Sequence, residues 1–138
     1  MKYRTIMDQI ADHEGFRSKP YRCTAGKLTI GYGRNIEDVG ISKAEARILL
    51  SNDIFKAQRD CERIFPLWHY YPDSKRWALI DMRFNLGPGR FRGFRRMIAA
   101  VKNEDWKLAA KEAKDSRWYG QVGRRSKYIV ELLGNGEV

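Results

Sequence analysis

Glu14 stands where a helical pattern gives way to a glycine-punctuated, strand-like stretch, immediately before Gly15-Phe16. A carboxyl projecting from such a junction into a groove between two lobes is partly withdrawn from water. Desolvation favours the protonated form, which is what a general acid needs. A glutamate at a helix end is more often a solvated surface residue, so position alone does not assign the role. His13 beside it is equally ambiguous, and His69 is the other histidine of the chain, which gives no cluster for a metal. Cys23 and Thr29 bracket a turn at Gly26 and by spacing alone are a buried thiol and an ordinary strand threonine as readily as reactive groups. There is no Ser/His/Asp signature, and Gly31-Tyr32-Gly33 lacks the setting of a dinucleotide or nucleotide phosphate loop.

The elements that must position these residues can be read from the spacing of apolar side chains. Tyr3, Met7 and Ile10 recur at helical intervals and predict a short amphipathic helix over 3–13. Between Gly15 and Ile41 the pattern turns short and strand-like, with Gly26, Gly31 and Gly33 punctuating Leu28-Thr29-Ile30 and Tyr32. Ser42 followed by Glu45 is a capping box, after which Ala46, Leu50, Ile54, Ala57 and Cys61 fall on one face of a helix over 42–61. The remainder reads as helices with breaks. Asp73 or Ser74 caps a segment that runs to Leu86, Gly87-Pro88-Gly89 stops it, and further segments follow near 94–102, 105–115 and 123–133. Trp77, Trp106, Trp118 and Tyr119 are assigned to the core of this helical part.

Length and composition limit the possibilities. A chain of 138 residues has room for one domain and one sizeable core, not a repeat array or a large two-domain enzyme. Its 43% apolar residues, with 4 Trp, 7 Tyr and 6 Phe, belong to a folding chain. No apolar run reaches the roughly 18 residues that span a bilayer, and charges within the first sixteen residues are unlike a signal peptide, so a soluble product without an export signal is expected. Cys23 and Cys61 suffice for one disulfide but suit a reduced compartment at least as well. The net charge of +10 points to an acidic partner, whether nucleic acid, anionic lipid or wall polymer.

Glu14-Gly15-Phe16-Arg17, Tyr21-Arg22-Cys23-Thr24 and Gly26-Lys27-Leu28-Thr29-Ile30-Gly31-Tyr32-Gly33 together closely resemble the active-site segment of the phage-type lysozymes, the muramidase endolysins of tailed bacteriophages. That family's pattern is a Glu, eight residues, an Asp or Cys, five residues and a Thr, which Glu14, Cys23 and Thr29 meet. The resemblance continues through Ile41–Ala46, Asn85-Leu86-Gly87, Gly93-Phe94, Ser116-Arg117-Trp118-Tyr119 and Arg124-Arg125, and so covers nearly the whole chain.

What the resemblance implies is an α+β, lysozyme-like fold, a single domain over 1–138 with an active-site cleft between two lobes. The small β lobe would be 15–41, the interlobe helix 42–61 and the helical lobe 62–138, with helix 3–13 packing on the last. The implied reaction is hydrolysis of the β-1,4 bond between N-acetylmuramic acid and N-acetylglucosamine in peptidoglycan. Glu14 would protonate the glycosidic oxygen, Thr29 would position the attacking water, and Cys23 would support that water as a thiolate or attack the anomeric carbon itself, or else Glu14, Thr29 and a substrate group would suffice; water attack with Cys23 in support is the favoured route. A free thiol is mostly protonated at neutral pH and is a poorer base than a carboxylate unless its site favours the thiolate. Arg125 matches a basic residue that in the family pairs with the catalytic Glu, and with Tyr32, Gly93 and Phe94 it is assigned to substrate binding. Arg34 and Asp53 match a charged pair that joins the lobes. No metal or cofactor is implied. The partners would be peptidoglycan and, functionally, a holin that permeabilises the membrane, so that a monomeric enzyme made in the host cytoplasm reaches the wall in the periplasm.

Three other readings compete. A lytic transglycosylase cleaves the same bond with Glu as acid and the muramyl 6-hydroxyl as nucleophile, and needs no carboxylate at position 23; the water-positioning Thr29 argues against it. A nucleic-acid-binding module fits the charge but shows no finger, zipper or aromatic-basic platform. A non-catalytic wall-binding relative is opposed by the intact Glu14.

Overall fold

The computed structural model describes residues 1–135 of the chain, which form a small antiparallel β-sheet lobe followed by a larger helical bundle, a lysozyme-like α+β fold. Two compact units, Met1–Ile48 and Leu49–Val138, divide it.

In the first unit, α1 (Ile6–Glu14) starts later than the apolar spacing predicts, because Thr5 caps it: the Thr5 hydroxyl accepts from the Asp8 N–H at 3.0 Å. Tyr3 therefore lies outside the helix, where its hydroxyl bonds to Asp12 and its ring meets His13 edge-on. Helix α1 ends at Glu14, with Gly15 at φ 73° donating its N–H back to Ala11. The sheet has the order β1 (Arg17–Arg22), β2 (Leu28–Gly31), β3 (Arg34–Asn35), antiparallel throughout. Pro20 is tolerated because β1 is an edge strand, and the pairing with β2 is irregular between Arg17 and Tyr21. This unit takes in α1 together with the sheet.

The boundary between the units falls within α2 (Lys43–Ile64), which opens on the expected capping box: the Ser42 N–H donates to Glu45 Oε1 at 2.8 Å and the Glu45 N–H to Ser42 Oγ at 3.1 Å. Ala57 and Cys61 of its apolar face are fully buried, while Leu50 and Ile54 are exposed.

The second unit holds the core. A 3-10 turn (Trp68–Tyr70) leads into α3 (Asp73–Leu86), and α4 (Pro88–Arg92), α5 (Arg95–Lys102), α6 (Trp106–Lys114), α7 (Arg117–Val122) and α8 (Arg124–Asn135) follow. Helix α8 packs on α3 and α6, and α6 on α5. Leu79, Met82, Val101, Ala109, Ala113, Ile129 and Leu133 interlock beside an aromatic group of Phe65, Trp68, Tyr71 and Phe91. The alanines of α6 admit the close approach. Buried Lys75 donates to the Leu132 carbonyl at 2.9 Å, which satisfies an acceptor in the last turn of α8.

Two features depart from the sequence reading. Gly87-Pro88-Gly89 ends α3 but also starts α4, since proline at a first helical position lacks only an N–H that would have had no helical partner. Trp77 is 68% exposed and not part of the core, because it lies on α3 beside rather than within the stripe of Ala78, Leu79 and Met82. Trp118 is buried as expected, with its indole N–H on Asn85 at 2.8 Å, and Trp106 and Tyr119 pack against the core from partly buried positions.

Candidate functional site

Glu14 is the last residue of α1 and lies at the surface of the first unit. Its carboxyl rests against the backbone of Gly33: a Cβ built on Gly33 would stand 2.5 Å from Glu14 Oε2 and 2.8 Å from its carboxyl carbon. Gly33 also has φ +75°, so both the space and the backbone demand glycine. The sequence shows this residue within Gly31-Tyr32-Gly33 but not the contact, which arises from two residues nineteen positions apart meeting in space.

Cys23 and Thr29 come together across the β1–β2 turn. Tyr21 pairs with Thr29 and Arg22 with Leu28, which brings Cys23 to the mouth of the turn, where its N–H donates to the Lys27 carbonyl at 3.0 Å and its carbonyl accepts from Gly26 at 2.8 Å. Cys23 is half-buried and its thiol is held below the ordinary cysteine pKa. The backbone N–H of Lys27 is the main cause, that of Ala25 the next, and the Thr29 hydroxyl adds to them against the opposing effect of burial. Thr29 is 3% exposed, and its hydroxyl lies 2.9 Å from the Lys27 carbonyl. Both cysteines are free thiols, and Cys61, buried in the second unit, has its pKa pushed up to about 12 by burial, with Asp60 beside it.

Arg34 forms a two-pronged pair with Glu45, Nη1 to Oε1 at 3.0 Å and Nη2 to Oε2 at 2.6 Å, and Nη1 also donates to the Gly40 carbonyl at 3.0 Å. The sequence reading paired Arg34 with Asp53 instead. Glu45 takes the guanidinium because the capping box already holds its carboxylate at the start of α2, close after the point where the Gly40 carbonyl meets the same arginine's fork. Arg34, foremost, and the Ser42 N–H lower the Glu45 pKa to about 2. Asp53 lies on α2 in the second unit and is exposed. Tyr32 is exposed, with its ring against that of Phe16 at 5.5 Å.

The remaining candidates belong to the second unit. Gly93 and half-buried Phe94 lie at a pocket of about 360 Å³ that Arg95, Arg96, Glu112 and Asp115 also line, with Phe94 edge-on to Trp118. Arg125 is bound to Asp81, Nε to Oδ1 at 2.8 Å and Nη2 to Oδ1 at 2.5 Å, with its guanidinium over the Phe84 ring. The same three residues, with Leu50, Ile54 and Trp77, line a groove of about 390 Å³. Asp81 and Glu45 are partners that spacing alone did not indicate. Among the described residues no group of three or more His, Cys, Asp or Glu is placed to hold a metal ion.

Comparison with known proteins bears on this geometry. The chain is 28% identical over 162 aligned positions to the pre-baseplate central spike protein Gp5 of Enterobacteria phage T4, an alignment covering 97% of this chain but 28% of that protein. It is 24% identical to probable T4-type lysozyme 1 of Dictyostelium discoideum, with 96% of this chain and 95% of that protein covered. It is 30% identical to the SAR-endolysin of Bacteriophage PS119, with 85% and 70% covered. The family profile described as Phage lysozyme matches residues 11–131, a span that includes Glu14, Cys23, Thr29, Gly33 and every second-unit candidate through Arg125. The chain therefore belongs to the phage lysozyme family.

Proposed function

We propose that the chain is a muramidase that hydrolyses the β-1,4 bond between N-acetylmuramic acid and N-acetylglucosamine of bacterial peptidoglycan. The observation that carries the reading is the first unit of a phage lysozyme family member holding a carboxyl on Gly33, in the same unit as Cys23 and Thr29 brought together across the β1–β2 turn.

Glu14 delivers a proton to the glycosidic oxygen as the bond to the anomeric carbon breaks, since an unprotonated sugar alkoxide is a poor leaving group. With its own proton on the Lys27 carbonyl, the Thr29 hydroxyl keeps lone pairs with which to orient a water. Cys23, biased toward thiolate by the turn amides, accepts the proton that this water loses as it attacks. One proton leaves Glu14 and one arrives at Cys23, and exchange with solvent resets both. Attack from the face opposite the leaving group inverts the anomeric centre. Tyr32, Gly93, Phe94 and Arg125 would contact the saccharide, and the reaction calls for no cofactor. In this reading the enzyme is made in the host cytoplasm and meets the wall once a holin has permeabilised the membrane.

Digestion of purified peptidoglycan in oxygen-18 water, followed by mass spectrometry of the released fragments, tests the reaction. Reducing-end muramic acid carrying the label is expected, with Glu14→Gln slower by at least about 100-fold. Unlabelled 1,6-anhydromuropeptides would make the chain a lytic transglycosylase. Absence of any release would leave a non-catalytic wall-binding protein.

A further inference from the structure

Asp60 faces three arginines inside the second unit. Its Oδ2 accepts from Arg83 Nε at 2.7 Å, and both of these side chains are largely buried. Its Oδ1 lies 3.6 Å from Arg92 Nη2 and 3.8 Å from Arg63 Nη1, which is ion-pair range without a hydrogen bond. The two outer guanidinium groups are therefore brought to one carboxylate oxygen while their N–H groups remain undirected. Among the described residues neither Arg63 nor Arg92 has another ion pair or hydrogen bond, and their side chains are 65% and 48% exposed. Three positive charges thus face the Asp60 carboxylate at the ends of α2 and α4, with the Glu62 carboxylate in the same neighbourhood, and the sum is positive.

We propose that Arg63 and Arg92 form a binding site for a phosphate monoester dianion. Arg83 neutralises Asp60 from the buried side, and Asp60 in turn holds the outer pair near each other against their mutual repulsion. An anion approaching from solvent meets two planar forks, each with several N–H donors and one edge facing away from Asp60. A tetrahedral phosphate has enough oxygens to accept from both forks at once, and its charge complements two guanidinium groups. A carboxylate has two oxygens, enough for one fork, and leaves the other guanidinium without an acceptor. The site uses neither the residues assigned to glycan cleavage nor the pocket at Gly93, so it stands independently of the proposed activity. Two sources carry this chemistry, free phosphate and the monoester headgroup of an envelope lipid.

Calorimetric titration of the full chain with inorganic phosphate, at constant ionic strength set by chloride, tests the site. Saturable binding is expected, with affinity at least tenfold weaker in Arg63→Gln/Arg92→Gln, a variant that leaves the inner Asp60–Arg83 pair intact. Lys107→Gln/Lys111→Gln removes the same charge from the exposed face of α6 and is expected to bind as the parent does. Arg63→Lys/Arg92→Lys keeps charge without the fork and is expected to lose most of the affinity. Equal binding by the parent and the glutamine pair would overturn the proposal, as would equal weakening in the α6 variant or undiminished binding by the lysine pair. Co-sedimentation with phosphatidylcholine vesicles containing phosphatidic acid then separates the sources: Arg63- and Arg92-dependent capture identifies a lipid headgroup, and phosphate binding without capture identifies a small soluble anion.

Discussion

The carboxyl of Glu14 lies so close over Gly33 that a single methyl group there would stand 2.5 Å from its oxygen. The glycine is thus part of how the acid is placed, although it contributes no functional group. Replacement by alanine meets two penalties at once, the left-handed backbone and the collision.

Gly33→Ala is expected to lower kcat by at least about tenfold, as a displaced acid loses alignment with the glycosidic oxygen. Gly40 has a similar φ of +69° but open space where a Cβ would go, so Gly40→Ala shares the strain without the collision. Lysis rates and thermal unfolding of the two variants separate the effects. An equal loss of rate in both would show that backbone strain, not the Glu14 contact, is responsible.

The thiol of Cys23 should titrate below a free cysteine, because the Lys27 and Ala25 amides and the Thr29 hydroxyl all favour the thiolate. Alkylation of the native chain by iodoacetamide is expected to modify one thiol rapidly, with a midpoint below that of a free cysteine, while Cys61 stays protected by burial. Two thiols reacting at similar rates would contradict the arrangement.

The Arg34–Glu45 pair carries a pH signature. The carboxyl of Glu45 titrates at about 2 in the fold against an ordinary value of 4.5, so the folded state binds fewer protons between those limits. Its stabilising effect is fully present above about pH 5 and is lost as pH falls toward 2. Thermal midpoints of the parent and Glu45→Gln should differ most near neutrality and converge at the acid end. A constant difference down to pH 2 would show that the pair is not the cause.

Asp60 and Arg83 are largely buried partners, 12% and 14% exposed at their side chains. Asp60→Ala should cost about 3 kcal/mol in denaturant unfolding, because it strands a desolvated guanidinium. Asp60→Leu/Arg83→Met, which removes both charges, should cost less than that single change. A larger loss in the double variant would mean that the pair contributes more than the desolvation it relieves.

Much of the architecture was legible from local pattern. The Ser42–Glu45 capping box, the stripe from Ala57 to Cys61 and the break at Gly87 are short-range devices whose residues act on neighbours three or four positions away. Their physics is complete within a helical turn, so the chain's order suffices to find them. The same holds for the β1–β2 turn, where strand alternation and Gly26 place Cys23 and Thr29 on either side of one bend. Short elements escaped the same reading. Helix α7 spans six residues from its Ser116 cap, too few for an apolar period to declare itself.

What only the tertiary structure decided is which groups meet across distance. Arg34 has acidic residues available at many separations, and its choice of Glu45 depends on the return of the chain through Gly40. The setting of Trp77 beside the core, of Arg125 on Asp81 and of Arg63 and Arg92 around Asp60 likewise follows from helix packing. Charged side chains are long and water-compatible, so their sequence positions constrain their partners weakly. Glu14, Cys23 and Thr29 stand out only through resemblance to a family pattern, whereas the contact of Glu14 with Gly33 and the amides gathered on Cys23 required the backbone to fold first.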